Sequence, residues 1–277
     1  MGDPSSIRVI LFILLIGSIS IVVVAFHPIG TESARVKNSE SCLSVSTTDI
    51  FDGSSSHRLT ARDLRVIQVT NNEGRKVALG DAMSDRGISV VVFLRHLGCT
   101  WCWSYVHQWK LVQHEMVEAG IEGPIFVSIG DPDRLNTFLS KNPELPSDKF
   151  FVDGYDFAAF KEAGFGRFDE KPKSITANVK AKPAAFGGPK GWWIFLTSFI
   201  PLAPVTPDMK FPEKLTPEGL FWVGGTFVVA GDDITYRWDD RISGDHPDAI
   251  DVLDIARAEA SARSVSSVVA PEFPDLI

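Results

Sequence analysis

Cysteine is scarce in this chain: three in 277 residues. That number is too small for the disulfide framework on which small secreted domains rely. Two of the three, Cys99 and Cys102, stand three positions apart, and Cys42 is alone. The distribution suggests local thiol chemistry and not a stapled scaffold. Positive charge is also in deficit, with 27 Lys and Arg against 35 Asp and Glu and a net charge of -8. No basic run compensates, so the clustered cations that nucleic-acid phosphates require are absent and no nucleic-acid partner is expected. There is no flavin, haem or nucleotide motif, no internal repeat, and no cofactor or metal is expected. What remains is an ordinary mix, 44% hydrophobic and 22% charged, enough to bury a real core.

The longest uncharged run is VILFILLIGSISIVVVAF, residues 9–26. As a helix rising about 1.5 Å per residue it nearly matches the roughly 30 Å hydrocarbon core of a bilayer. The expectation is an N-terminal apolar helix, either a retained signal anchor or a signal peptide cut after Ala25, over residues 1–26. It implies membrane contact through residues 9–26 or passage along the secretory route. The flanking charges, Arg8 on one side and Arg35 with Lys37 on the other, do not fix orientation. The stretch Ala25-Phe26-His27-Pro28 resembles the Ala-Phe-x-Pro junction of plastid-targeted precursors in algae with complex plastids. Residues 27–62 are rich in Ser and Thr but carry Glu32, Glu40, Asp49 and Asp52, more acid than a transit peptide usually holds. The plainer reading is a spacer between the apolar run and the folded part.

Regular patterning starts near Leu64. Val66 and Val69 on one side and Val77 and Leu79 on the other flank Asn71-Asn72-Glu73-Gly74, a turn between short strands. Ile88–Leu94 is a continuous β-branched and aromatic run, suited to a strand buried on both faces. Trp101–Ala119 has apolar residues at helical spacing and is closed by Gly120. Ile125–Ile129 is a second buried strand. Asp133–Lys141 reads as a helix, Lys149–Val152 as a strand and Phe157–Ala163 as a helix. Phe221–Ala230 and Ile234–Trp238 flank Gly231-Asp232-Asp233 as a hairpin, and Pro247–Arg263 is a final helix. Crossover-linked parallel strands finished by a hairpin and a helix describe an α/β, thioredoxin-like fold over residues 63–262, followed by a tail at 263–277. Residues 167–219 interrupt it with frequent Pro and Gly. Within them WWIFLTSFIPLAPV, residues 192–205, is apolar but broken by Pro201 and Pro204. It reads as an insertion laid over the domain surface, or as a flap near the thiols.

Chemistry concentrates where the buried strand meets the long helix, at Arg95-His96-Leu97-Gly98-Cys99-Thr100-Trp101-Cys102. A cysteine at a helix N-terminus meets unpaired backbone N–H groups and the positive end of the helix dipole, and both favour a thiolate. Arg95 and His96 add positive potential, and Gly98 allows a sharp turn that leaves Cys99 open. Cys99 is therefore the expected attacking thiolate. Cys102, one turn further in, is the expected resolving thiol. Three other readings of the pair stay open: half of a zinc site with His96 and His107, an inert structural disulfide, or buried thiols without a role. His27, His57, His114 and His246 read as surface or capping residues.

The run VVVFLRHLGCTWC resembles the peroxiredoxin-like 2 group, in the alkyl-hydroperoxide-reductase and thiol-specific-antioxidant branch of the thioredoxin fold. The later stretch GLFWVGGTFVVAGDDITYRWDDRISGDHPDAIDVLDIA resembles that group's closing hairpin and helix, and the two together anchor about residues 63–260. The resemblance implies a thiol-dependent antioxidant or reductase that acts on a small peroxide or disulfide. Cys99 and Cys102 would be its working pair, and a thioredoxin- or glutathione-type reductant would restore them. The chain departs from its relatives at several places. True peroxiredoxins carry Pro and Thr where Val92 and His96 stand here. Thioredoxins carry a cis-proline where Gly225 precedes Thr226. Family members often follow the second cysteine with Arg-Glu, and here Trp103-Ser104 follows.

Overall fold

In this computed structural model the described residues are 11–16, 19–24, 59–182 and 218–268, with isolated positions between 189 and 202. Two units separate, residues 1–55 and 56–277.

The larger unit is organised by the run Ile88–His96, strand β5, in which all nine residues are buried. A strand covered on both faces needs no polar alternation, so its side chains are β-branched and aromatic almost throughout. β5 pairs in parallel with β6 (Ile121–Ile129), which pairs in parallel with β7 (Phe150–Asp153). On its other edge β5 pairs antiparallel with β8 (Gly225–Ala230), and β8 with β9 (Asp233–Asp239). The hairpin β3 (Gln68–Thr70) and β4 (Lys76–Ala78) extends the far edge, giving the order β4-β3-β7-β6-β5-β8-β9. Parallel strands demand crossovers. α2 (Thr100–Glu118) links β5 to β6, and α3 (Pro132–Ser140) lies between β6 and β7. The closing hairpin is followed by α6 (Ala249–Val268). This connectivity is a thioredoxin-like fold.

Side chains of β5 alternate between two cores. Val90, Val92 and Leu94 join α2 and α6 on one face, with Tyr105, Trp109, Val252 and Leu253. Val91 and Phe93 join the other face, where Phe160, Phe165, Phe227 and Trp222 gather. Phe93 meets Phe160 edge-on at a centroid separation of 5.2 Å, a favoured arrangement for aromatic quadrupoles. The strands β5 and β8 approach so closely at their ends that a side chain on Gly224 would sit 1.9 Å from the Phe93 carbonyl oxygen.

Three expected boundaries shift. The unit begins with α1 (Ala61–Val66), which the sequence pattern did not suggest. Thr60 and Asp63 close a reciprocal capping box at its start. β6 starts at Ile121, four residues earlier than expected, and α6 starts after Pro247, at Ala249. α4 (Ala158–Glu162) precedes the expected insertion, which opens with a bridge between Arg167 and Trp222 and contains the short α5 (Lys173–Thr176).

The expected N-terminal apolar helix is not confirmed. Leu11–Ile16 and Ile19–Val24 form strands β1 and β2, paired antiparallel from Leu11↔Val24 to Ile16↔Ile19. The reason is local: β-branched Ile and Val dominate the second half of the run, and such side chains favour strands. No helix among the described residues is long and apolar enough to cross a membrane. The spacer at 27–62 falls almost wholly outside the described residues, as do His27, His57, Cys42, the tail beyond 268 and most of 192–205.

Candidate active site

The strand β5 ends at His96, and the turn Leu97–Gly98 is closed by a hydrogen bond from the Cys99 N–H to the His96 carbonyl at 3.0 Å. Cys99 is the N-cap of α2, in extended backbone conformation. Its carbonyl accepts from the Trp103 N–H at 3.0 Å and so starts the helical ladder. Cys102 then falls one turn along, pointing into the same core. Both thiols are reduced in the structure, without a disulfide between them.

Arg95 is the charged group of the site. Its Nη1 lies 3.6 Å from the Cys99 sulfur and also donates to the Ser243 hydroxyl. Its Nε donates to the Trp222 carbonyl at 3.0 Å and its Nη2 to the Leu220 carbonyl. A buried guanidinium is tolerable because four acceptors surround it. The Ser243 hydroxyl lies 4.0 Å from the same sulfur.

These surroundings split the two thiols. Burial alone pushes the Cys99 thiol up, but the facing Cys102 thiol, the Arg95 charge, His96 and the Cys102 backbone N–H together hold it well below the ordinary thiol range. Cys102 moves the opposite way. Burial and the negative charge on Cys99 raise it well above that range. The pair therefore holds its protons unequally, more tightly on Cys102 than on Cys99.

Two expectations are corrected. Burial works against the positive potential expected of His96, although its charged form draws the Cys99 thiol downward. Burial, helped by Arg95, lowers its pKa to about 4 against a smaller opposing pull from Cys99, so it is neutral at pH 7. Nor does Gly98 leave Cys99 open: the sulfur-bearing residue is 4% exposed and Cys102 is 2% exposed. The loop Arg241–His246 and the segment around Leu220 close over it, because Arg95 binds both.

The remaining expected residues are distributed around this centre. Trp101 donates its indole N–H to the Lys182 carbonyl at 2.9 Å and packs against Gly244. Thr226 is fully buried and shares a hydrogen bond with the Tyr105 hydroxyl at 3.1 Å. Gly225 faces Phe93 across the strand pair, and a side chain there would collide with the Trp238 carbonyl at 2.0 Å. That crowding explains why this position is glycine. His107 is exposed and stacked on Trp103, away from the thiols. Among the described residues no three His, Cys, Asp or Glu side chains converge as a metal ion would need.

Sequence reading missed Ser243, Asp240 and His246. His246 is not on the surface: it is 5% exposed, its Nδ1 lies 2.7 Å from Asp240, and its ring stacks on Tyr105 at 4.7 Å. The signal available was Ser-Gly-Asp-His at 243–246, a small polar cluster between the hairpin and the last helix.

Fold and site together define a class: a thioredoxin-like fold with a Cys-x-x-Cys pair opening the helix that follows the central strand. Among solved structures the chain is similar to Xanthomonas campestris peroxiredoxin Q, at 12% identity over 74% of this chain and 99% of that one, TM-score 0.43. It is also similar to the Xanthomonas campestris bacterioferritin comigratory protein, studied for alkyl peroxide reduction, at 12% identity over 73% and 96%, TM-score 0.42. A third similarity is to a SCO1/SenC family lipoprotein of Bacillus anthracis, at 15% identity over 73% and 98%, TM-score 0.37. No family model and no curated protein matches the chain. With identities and scores this low, the fold assignment rests on the strand order and connectivity described above.

Proposed function

We propose that the chain is a thiol oxidoreductase that reduces a peroxide or a disulfide through Cys99 and Cys102. The observation that carries this reading is the site's geometry: a sulfur at a helix N-cap, 3.6 Å from a buried guanidinium that draws its pKa down, with a second thiol one turn along whose pKa is raised. The Cys99 thiolate attacks the O–O bond of a hydroperoxide. One oxygen stays on sulfur as a sulfenic acid, and the other leaves as an alkoxide that takes a proton from solvent. Cys102 then attacks the sulfenic sulfur and releases water, and the product is the Cys99–Cys102 disulfide. With a disulfide as oxidant, a mixed disulfide takes the place of the sulfenic acid. An external reductant, one dithiol of the thioredoxin type or two glutathione-type monothiols, returns the two electrons. Because both sulfurs are buried, the oxidant enters by displacing part of the cover around Arg95.

The test is consumption of hydrogen peroxide, cumene hydroperoxide and a small disulfide by the reduced full chain with dithiothreitol as donor. The expected result is loss of turnover in Cys99→Ser. In Cys102→Ser, a Cys99 sulfenic acid accumulates and is trapped by dimedone. A Cys99→Ser protein that matches the parent with every oxidant removes the reading.

One observation favours a second reading, a thioredoxin-fold binding module without catalysis: the near-complete burial of both cysteines. On that reading the parent itself consumes no oxidant. Attachment to a membrane through residues 9–26 and entry to the secretory route or an algal plastid remain part of the proposal. Recovery of the intact N-terminus in a membrane fraction tests them.

A further inference from the structure

We propose that the loop Arg241–His246 is a strap that seats Ser243 on Arg95 beside the Cys99 sulfur, and that the buried Asp240–His246 ion pair is its clasp, making both residues positioning residues for the thiolate. The inference rests on Cys99 being the reacting thiolate.

The strap is fastened at each point along its length. At its base, His246 Nδ1 and Asp240 Oδ2 are 2.7 Å apart, and Asp240 is fully buried. Arg241 grips Asp245 with two nitrogens, at 2.6 and 2.9 Å, and the Trp238 indole N–H donates to the Asp245 carbonyl at 2.7 Å. At its tip, Ser243 accepts from Arg95, and Gly244 lies against the Trp101 ring with φ +84°. A side chain on Gly244 would meet that ring at 2.6 Å. The Lys182 N–H donates to the Gly244 carbonyl at 3.0 Å from outside.

The clasp is costly to bury, which argues for a role. His246 Nε2 and both carboxylate oxygens of Asp240 lack a hydrogen-bond partner, so the pair is held by electrostatic approach and neither charge is fully compensated. Around the pair stand Tyr105 from α2, Arg95 from β5, Lys171, Asp245 and Cys99 itself. Breaking one partner leaves an uncompensated charge inside, and the strap lifts to let water in. Lifting it removes Ser243 from Arg95 and exposes the sulfur.

The test uses the reduced full chain. Alkylation of Cys99 by iodoacetamide is followed against pH, with the modified peptide identified by mass. In His246→Gln and in Gly244→Ala the midpoint of the thiolate titration moves upward, and the rate at high pH rises about tenfold, as expected for easier local opening. Gly244→Ala leaves the buried pair intact, so it carries the test if His246→Gln does not fold. Phe160→Ala, on the opposite face, lowers stability and leaves the midpoint in place. A parent with a low midpoint that folded strap variants leave unchanged overturns the strap. A parent that titrates like a free thiol overturns the thiolate reading beneath it.

Discussion

The two faces of the central sheet are built on opposite rules. On one, Phe93, Phe160, Phe165, Phe227 and Trp222 interlock with no ion pair among them. On the other, the apolar residues of α2 and α6 share their space with both cysteines, Tyr105, Thr226 and the Asp240–His246 pair. One strand, β5, serves both through the period-two alternation of its side chains. The difference separates stability from chemistry. The aromatic face supplies rigidity through ring packing, with Arg237 and Lys161 over its outer rings, while the thiol face holds partly compensated charge inside the fold.

The largest effect that tests this contrast is on the aromatic side. Phe93→Ala removes the ring around which that cluster is arranged. Unfolding free energy falls by about 3–5 kcal/mol by urea titration, and the Cys99 thiolate titration in the folded protein stays where it was. A shift in that titration breaks the comparison.

Next in size is a pH effect from the thiol side. His96 holds its proton only below about 4 when folded, against 6.5 as the ordinary value. Between these values the unfolded chain binds a proton that the native state refuses, so stability falls as pH drops through this window. The loss is about 3 kcal/mol in total. Urea midpoints measured from pH 7 down to pH 4 follow it, and the His96 share of the slope vanishes in His96→Gln.

Smaller again is Arg95→Met. It leaves the Trp222 and Leu220 carbonyls without their donor and moves the Cys99 thiol upward. Oxidant consumption at neutral pH falls about tenfold, the equivalent of one charge-assisted hydrogen bond. Oxidation rates across pH sharpen the result, since the deficit narrows where the thiol is fully ionised. At the bottom of the scale stands Leu111→Ser, on the exposed side of α2. It changes stability by at most about 0.5 kcal/mol and leaves the thiols untouched, as thermal melts and alkylation rates would record.

Much of the fold was legible in the sequence because the signals were local. Ile88–Leu94 could hardly be anything but a doubly covered strand, and Gly231-Asp232-Asp233 marked the hairpin. Cys99 at the start of a helix followed from the apolar spacing of Tyr105, Trp109 and Val112. What was not legible was of two kinds. At residues 9–26 two local rules conflicted: length and apolarity argued for a helix, while β-branching argued for strands. The partners of the sulfur, Ser243, the Leu220 and Trp222 carbonyls, and Asp240 with His246, lie more than a hundred residues along the chain. No periodicity brings them to Cys99; only the antiparallel return of β8 and β9 does.

Arg95 is moored to residues 220 and 222, and the Trp101 ring to residue 182, so both feet of the intervening stretch stand beside the sulfur. A displacement of Leu220 or Trp222 reaches the sulfur through the one guanidinium that holds all three. A remote event thereby acquires a short mechanical route to the reactivity of one atom.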